Sequence, residues 1–365
     1  MALRPLPTPI AELTPEWLTL ALRPSGVLGE SGIVVDVRAD DIGTGVGVFG
    51  IIARLHLTYR DAPANAPATV IAKMPTDAPA NREVGLALRL FEREALFYRD
   101  LAPQVAMGGP SCYFSDMELD DGRFAIVMED LGHMEAGDQL AGLSPTRAAA
   151  IIDGLAAFHA QWWDAPALDA LSWMPLQNDP TYLAGVPPIV TAGVAALETY
   201  KDPLPAGSLE LARRADACYV DLLHRCAAGP RTIVHGDARL DNFFFTPHTN
   251  DFAVIDWQLS LRARGAYDIV YLLGTSMSIE NQNAHADDLV QRYHTALAAH
   301  GVDWEKGDLL TACAEHSAQL LAGPLSLIGT FDFSNAGDGR AALLVREWVP
   351  RGFNMAFLMG ADTVV

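Results

Sequence analysis

The chain has 365 residues, of which half are hydrophobic and 19% are charged, and its formal net charge is −20. This length allows about two domains or lobes, and the hydrophobic content excludes a largely disordered protein. The strongly negative charge argues against nucleic acid or an anionic membrane surface as a partner.

The N-terminal segment carries no targeting signal that we recognise. Residues 1–10 contain three prolines and no apolar run, which is unlike a secretory signal. No stretch of about 18 uninterrupted apolar residues follows, so we expect no membrane insertion. The four cysteines form no C-x-x-C pair, which argues against a disulfide framework or a zinc site. We therefore expect a soluble, cytoplasmic protein.

Two predicted strands, residues 33–37 and 51–59, flank a turn rich in glycine. Gly43, Gly45 and Gly47 would let the backbone approach a phosphate group closely, with N–H groups as donors. A glycine-rich turn is also common without any ligand, so this pattern alone does not decide between the two.

A third predicted strand, residues 69–73, ends in Lys73, and the apolar spacing of residues 81–101 predicts a helix. The acidic residues of that helix considered for pairing with Lys73 are Glu83, Glu92 and Glu94. Both a strand-end lysine and a helix glutamate can instead be ordinary solvated charges. Residues 111–114 and 124–128 then read as the fourth and fifth strands.

Beyond residue 131 the pattern becomes helical. Ser144-Pro145 is typical of a helix start, and the helix should run to about residue 162 with His159 on its apolar side. A lone histidine in that position is more often a buried, hydrogen-bonded core residue than a catalytic one. Residues 175–188 are expected to form a loop, and residues 209–227 a helix.

The most informative stretch is residues 234–258. Asp237 lies five residues before Asn242, and two brief strands, 243–246 and 252–255, lead to Asp256. A hairpin brings its outer ends together, so Asn242 and Asp256 should lie side by side. An amide oxygen next to a carboxylate suits Mg²⁺, which leaves room for phosphate oxygens. Asp237 would then be free to face a substrate hydroxyl.

These motifs resemble the aminoglycoside phosphotransferase and choline kinase superfamily, which has a protein-kinase-like fold. The H-G-D at 235–237, the R-L-D-N-F-F-F at 239–245 and the I-D-W-Q at 255–258 look most like its ecdysteroid-kinase-like branch and related bacterial proteins. R-E-x-x-F-Y at 93–98, V-M-E-D-L at 127–131 and F-H-A-x-W-W at 158–163 are similar to further patterns of that superfamily.

The resemblance implies an α+β, two-lobed protein-kinase-like fold, with a small antiparallel sheet lobe carrying one main helix and a larger, mostly helical lobe. It places an ATP-binding lobe at residues 1–130 and a lobe with the catalytic loop, metal site and acceptor pocket at 131–365. The linker between the lobes would hold adenine through the main chains of Glu129 and Leu131, with Met128 nearby.

The resemblance also assigns roles to single residues. Lys73 would contact the α- and β-phosphates and pair with Glu94, with Glu83 as the second choice. Asn242 and Asp256 would bind magnesium, and Asp237 would be the catalytic base. Asp268 would anchor the catalytic loop, which His159 is also expected to support. Arg239 could sense phosphate or pair with Asp241, and the sequence does not choose.

The resulting hypothesis is an ATP- and magnesium-dependent kinase acting on a hydroxyl of a small, apolar alcohol. An aminoglycoside- or other antibiotic-type phosphotransferase and a nucleotide-binding regulatory pseudokinase are the alternatives. The aromatic residues that favour an apolar acceptor are Trp162, Trp163, Trp173, Tyr182, Phe331 and Phe333. A monomer or a homodimer is expected.

Overall fold

The computed structural model describes residues 5–42, 50–330 and 339–365. They divide into two compact units: Met1–Met134 with Ala253–Leu259, and Glu135–Phe252 with Ser260–Val365. The sequence pattern did not predict that Ala253–Leu259 would belong to the first unit. The predicted lobe boundary after residue 130, with its functional labels, stays a prediction.

The first unit is built on a five-stranded antiparallel sheet with the strand order β1-β2-β3-β5-β4. The strands are β1 (Ile33–Asp41), β2 (Gly50–Arg60), β3 (Thr69–Pro75), β4 (Cys112–Glu118) and β5 (Arg123–Glu129). Strand β3 is central, and Lys73 lies opposite Ile52 of β2 and Ile126 of β5. Alternate residues of the two neighbouring strands β2 and β3 are buried in one core: Ala53, Leu55, Leu57, Val70, Ala72 and Met74.

The helices of the first unit are α1 (Pro15–Leu22), α2 (Pro79–Ala87) and α3 (Leu90–Leu96), and α3 continues as a π-helical turn, Phe97–Leu101. The single helix predicted over residues 81–101 is therefore wrong. Arg89 interrupts it with φ +56. The break lets α2 fold against α3, where a Cβ added at Gly85 would meet the Phe91 ring at 2.4 Å. Neither glycine nor proline marks the break.

The second unit is mostly helical. Its helices are α4 (Pro145–Gln161), α5 (Pro180–Leu197), α6 (Ser208–Ala217), α7 (Tyr219–Cys226), α8 (Ala266–Ser276), α9 (Ile279–Ala299), α10 (Lys306–Gln319), α11 (Ala322–Thr330) and α12 (Arg340–Leu358). Its strands are short: β6 (Glu135–Ala136), β7 (Thr232–Val234), β8 (Phe243–Phe245) and β10 (Leu261–Ala263), while β9 (Phe252–Val254) leads into the first unit. Strand β7 pairs with β10 and β6 with β8, both antiparallel. The predicted α+β class is confirmed.

Helix α5 corrects the predicted loop over residues 175–188. It begins at Pro180, and the Asp179 side chain accepts a hydrogen bond from the Thr181 N–H, which is a standard N-cap. Pro187 and Pro188 lie inside it, where proline usually ends a helix. By length and composition alone, this helix could cross a membrane. One such helix is weak evidence, so the expected absence of membrane insertion stays a prediction.

The predicted helix over residues 209–227 is interrupted. Helices α6 and α7 meet at Cys218, which has φ −119 and ψ 15 and belongs to neither. The apolar residues of both helices still pack on one core with α5, α11 and α12. The spacing of apolar residues therefore predicts which side is buried, although it misses the kink.

A buried polar cluster in the second unit makes stability depend on pH. His316 is fully buried and contacts Gln177 at 3.3 Å and Arg264 at 3.3 Å, and Arg264 pairs with Glu315 at 2.7 Å. Burial, and secondly the charge of Arg264, lower the pKa of His316 well below its usual value.

This shift predicts that acid destabilises the fold through His316. Below about pH 6.5 the unfolded chain protonates this histidine and the folded chain does not, so up to about 1.4 kcal/mol of stability is lost per pH unit. Chemical denaturation at pH 7.5 and 5.5 should show a smaller pH dependence of the unfolding free energy in His316→Gln than in the wild type. An equal pH dependence in the two proteins would contradict the assignment.

Candidate active site

The first group of predicted site residues lies on β3, on α3 and after β9, all within the first unit. The Lys73 Nζ atom lies 2.7 Å from both Glu94 carboxylate oxygens and 3.0 Å from Asp256 Oδ1. Lys73 and Glu94 are buried. Of the three glutamates considered for this pairing, Glu94 is therefore the one in contact, while Glu92 pairs with Arg89 and Glu83 is exposed to solvent.

Helix α3 is held in the position that this ion pair requires. The Ser115 hydroxyl on β4 donates to the Ala95 carbonyl at 2.7 Å, and Phe91 stacks on Phe124 of β5 at 5.1 Å. Glu94 therefore points at the central strand of the sheet. A small hydroxyl residue on β4 and an aromatic residue on β5 therefore hold α3 in place.

One cation serves two carboxylates in this group. Burial alone would lower the pKa of Lys73, but the charges of Asp256 and Glu94 outweigh burial and raise it. Burial raises the pKa of Glu94 to about 7, and the charge of Asp256 adds to this rise while Lys73 opposes it. Lys73 therefore stays charged between the two carboxylates.

Asp256 has an unusual backbone for a residue other than glycine, with φ +69. Such a conformation costs about 1 kcal/mol and persists where the surroundings fix it. Here the fixed neighbour is Trp257, which is buried and stacks on Phe97 at 3.7 Å. Gln258 Nε2 donates to Asp256 Oδ2 at 3.2 Å. The position of the Asp256 carboxylate is thus fixed by the stacked neighbour Trp257 and by hydrogen bonds from Lys73 and Gln258.

The residues predicted to hold adenine lie at the end of β5. Met128 and Leu131 are buried. The Glu129 N–H donates to the Ser111 carbonyl at 2.8 Å, and the Leu131 carbonyl accepts from the Met134 N–H at 2.8 Å. The Glu129 N–H is therefore already engaged, and a nucleotide contact at Glu129 would have to use its carbonyl. Gly43, Gly45 and Gly47 lie outside the described residues.

The second group of predicted residues lies in the loop after β7, within the second unit. Gly236 has φ +82, a conformation that favours glycine. The Asp268 carboxylate on α8 accepts from the His235 N–H at 2.7 Å and from the Gly236 N–H at 3.0 Å. The prediction that Asp268 anchors this loop is confirmed.

Asp268 is itself held by a chain of buried, hydrogen-bonded side chains. His159 Nε2 lies 3.2 Å from Asp268 Oδ2, and His159 Nδ1 lies 2.7 Å from the Tyr293 hydroxyl on α9. All three residues are fully buried. The prediction that His159 supports the loop is confirmed, whereas Tyr293 gave no signal in the sequence.

Asp237 is nearly buried, and its carboxylate accepts three hydrogen bonds. The Tyr271 hydroxyl donates to Oδ1 at 2.8 Å, while Arg239 Nε and Asn242 Nδ2 each donate to Oδ2 at 3.0 Å. Arg239 thus pairs with Asp237, which was not among the partners predicted for it. Asp241 accepts from Arg340 at 3.2 Å instead.

Asn242 is buried and its amide group is oriented by the same loop. Its Nδ2 atom donates to the Asp237 carbonyl at 2.8 Å as well as to the Asp237 carboxylate. The amide oxygen therefore remains as the atom for a metal ion. Within the described ranges no cluster of three or more His, Cys, Asp or Glu could hold a metal. Asn242 and Asp256 belong to different units, and their predicted proximity stays a prediction.

Comparison with known proteins identifies the family. Residues 57–310, more than half of the chain, match the model of the phosphotransferase enzyme family. The chain belongs to this family. No curated protein matches this phosphotransferase-family chain in sequence.

Solved structures share the phosphotransferase fold at low identity. A choline kinase from Cryptosporidium parvum Iowa II is 9% identical with a TM-score of 0.53, covering 90% of each chain. Plasmodium vivax ethanolamine kinase is 13% identical with a TM-score of 0.52, covering 94% of this chain and 86% of its own. The GDP complex of wild-type aminoglycoside 2'-phosphotransferase-IIIa is 16% identical with a TM-score of 0.50, covering 90% and 94%.

The predicted superfamily and its kinase-like fold are therefore confirmed, and so is the coarse function of a phosphotransferase. At these identities the structural likeness shows the fold alone. The nearer resemblance to the ecdysteroid-kinase-like branch stays a prediction.

Proposed function

We propose that the chain is an ATP- and magnesium-dependent kinase that transfers the γ-phosphoryl group to a hydroxyl of a small, apolar alcohol. The observation that carries this proposal is the Asp237 carboxylate, which three side-chain donors hold in one orientation beside a buried asparagine. These donors satisfy a buried carboxylate and still leave Oδ1 with an acceptor site for a substrate hydroxyl.

The nucleotide and its magnesium are assigned to Lys73, Glu94 and Asp256 of the first unit and to Asn242 of the second. Lys73, fixed by Glu94, would orient the α- and β-phosphates, as in other kinases. The Asn242 amide oxygen and the Asp256 carboxylate are hard donors that fit magnesium. When bound, magnesium would neutralise charge on the phosphates. The GDP complex of the aminoglycoside relative supports nucleotide use in this family.

Asp237 is proposed to act on the acceptor. Its Oδ1 atom would accept a hydrogen bond from the acceptor hydroxyl and take the proton as transfer occurs. The acceptor oxygen forms a bond to the γ-phosphorus, the bond from that phosphorus to the β–γ bridging oxygen breaks, and ADP leaves. The role of the protein is positioning, which accounts for most of the catalysis in such transfers.

The side chains around Asp237 support an apolar acceptor over a polycationic one. Tyr271 and Trp348 are both partly exposed and meet edge to face at 6.2 Å, which offers an apolar surface. Two described carboxylates of the loop pair with arginines, Asp237 with Arg239 and Asp241 with Arg340. A polycationic drug would need carboxylates that lack such partners.

The aromatic residues that line this surface are not the ones that the sequence analysis proposed for an apolar acceptor. Trp162 and Trp173 are buried, and Trp163 packs against Trp304 at 5.0 Å. These three side chains belong to the fold, and Tyr182 is partly exposed. Phe331 and Phe333 lie outside the described residues.

A panel of acceptors tests the proposal. Benzyl alcohol, cyclohexanol, a sterol, a hydroxyacyl thioester and kanamycin would be incubated with magnesium–ATP, and phosphorylated products identified by mass spectrometry. A phosphorylated apolar alcohol is the expected product. Phosphorylation of kanamycin alone would contradict the acceptor class, and nucleotide binding without any product would favour the pseudokinase alternative.

A further inference from the structure

Two residues of helix α8 that lie three positions apart hold the catalytic loop. Asp268 holds the main chain of the loop through two N–H groups, and Tyr271 holds the Asp237 side chain at 2.8 Å. Residues three apart lie on the same side of a helix. One helical face therefore fixes both the backbone and the carboxylate of the loop.

The Tyr271 hydroxyl determines which acceptor site of the Asp237 carboxylate stays available. A carboxylate oxygen offers two acceptor sites. Oδ2 of Asp237 has both sites taken, by Arg239 and Asn242, whereas among the described residues Oδ1 accepts from Tyr271. Oδ1 is thus the oxygen with an acceptor site to spare, and the phenol fixes the direction of that site. Removing the phenol leaves Oδ1 without its side-chain donor.

The environment keeps Tyr271 a donor. Its ring lies against Trp348 at 6.2 Å and Tyr267 at 6.1 Å. Burial, followed by the charge of Asp237, raises its pKa well above the usual tyrosine value. The phenol therefore stays protonated at any pH at which the protein would work.

We infer that Tyr271 is a positioning residue for phosphoryl transfer, which aims Oδ1 of Asp237 at the acceptor hydroxyl. This inference rests on the proposed function, because it presupposes Asp237 as the base. Tyr271 acts through Asp237 and not on the nucleotide.

Tyr267 supplies a matched control on the same helix. Within the part of the chain that the structure describes, its hydroxyl contacts the Gly236 carbonyl at a long 3.4 Å, and its ring is parallel to that of Tyr271. Tyr271→Phe and Tyr267→Phe each remove one hydroxyl and keep the ring. The assay uses magnesium–ATP with the panel alcohol that gives the fastest turnover, or with water as the acceptor if no alcohol stimulates.

Tyr271→Phe is expected to lower kcat about tenfold to a hundredfold, the usual worth of a hydrogen bond to a charged group. Its KM for ATP should stay within about twofold, and Tyr267→Phe should stay within about threefold of the wild type in kcat. In an Asp237→Asn background, Tyr271→Phe should cause no further loss, because residues that act as a unit are not additive.

Three outcomes would overturn the inference: an unchanged kcat in Tyr271→Phe, equal losses in both tyrosine variants, or a full additional loss in the Asp237→Asn background. Circular dichroism and a melting curve for each variant exclude a loss through misfolding. If Asp237→Asn itself keeps wild-type turnover, or if the wild type consumes no ATP, the proposed function fails first and the inference fails with it.

Discussion

Replacing Asp237 with asparagine is expected to lower kcat by about three orders of magnitude, within the range known for lost general bases. Asparagine keeps the shape and can still accept the Tyr271 hydrogen bond, but it cannot take the proton of an acceptor hydroxyl. Initial rates of magnesium–ATP turnover with an alcohol acceptor measure the loss. Affinity for ATP should change little, because Asp237 is assigned to the acceptor.

The same loop offers a control for the Asp237 variant. Asp241 pairs with Arg340 and accepts from the Gln139 N–H at 2.7 Å, so it lies near the site without facing the acceptor in our assignment. Asp241→Asn should keep kcat within a few-fold of the wild type. Equal losses in Asp237→Asn and Asp241→Asn would show that the loop tolerates no change, and the assignment of a base would fall.

Replacing Lys73 with methionine should harm both stability and turnover. The change leaves Glu94 and Asp256 without the cation that lies within 3.0 Å of both, and removing one partner of a buried ion pair costs about 3–5 kcal/mol. At pH 8 the unfolding free energy should fall by this amount. The loss should shrink as the pH falls, because protonation of the carboxylates removes the unpaired charge.

Lys201 provides the matched control, since it is exposed and the substitution Lys201→Met is chemically the same. It should change the unfolding free energy by no more than about 0.5 kcal/mol. Turnover should fall at least about a hundredfold in Lys73→Met and stay unchanged in Lys201→Met. A Lys73→Met protein as stable and active as the wild type would mean that the ion pair is neither structural nor functional.

The sequence pattern predicts those features that depend on the spacing of residues close together in the chain. The brief strands around the turn after the catalytic loop occur as β8 and β9, and the helix opened by Ser144-Pro145 runs as α4. Asp268 and His159 act as predicted because a buried polar residue on an apolar helix face must find a hydrogen-bonding partner. These features depend on residues that are close in sequence or on one face of a helix.

What the sequence could not predict depends on distant partners. The break at Arg89 carries no glycine or proline, and α5 forms although Pro187 and Pro188 argue against it. The two predicted partners of Arg239 were a phosphate group and Asp241, whereas the structure shows a contact with Asp237. The contact of Tyr271 with Asp237 joins residues 34 positions apart. No periodicity encodes such a pair.

The most direct test of the account is transfer of the labelled γ-phosphoryl group from ATP to an alcohol, with magnesium and with EDTA. The account predicts a labelled phosphate ester that forms only with magnesium and is lost in Asp237→Asn. An ester formed equally well with EDTA, or equally well by Asp237→Asn, would contradict the proposed metal dependence or the proposed base. No labelled ester with any alcohol would contradict the central claim itself.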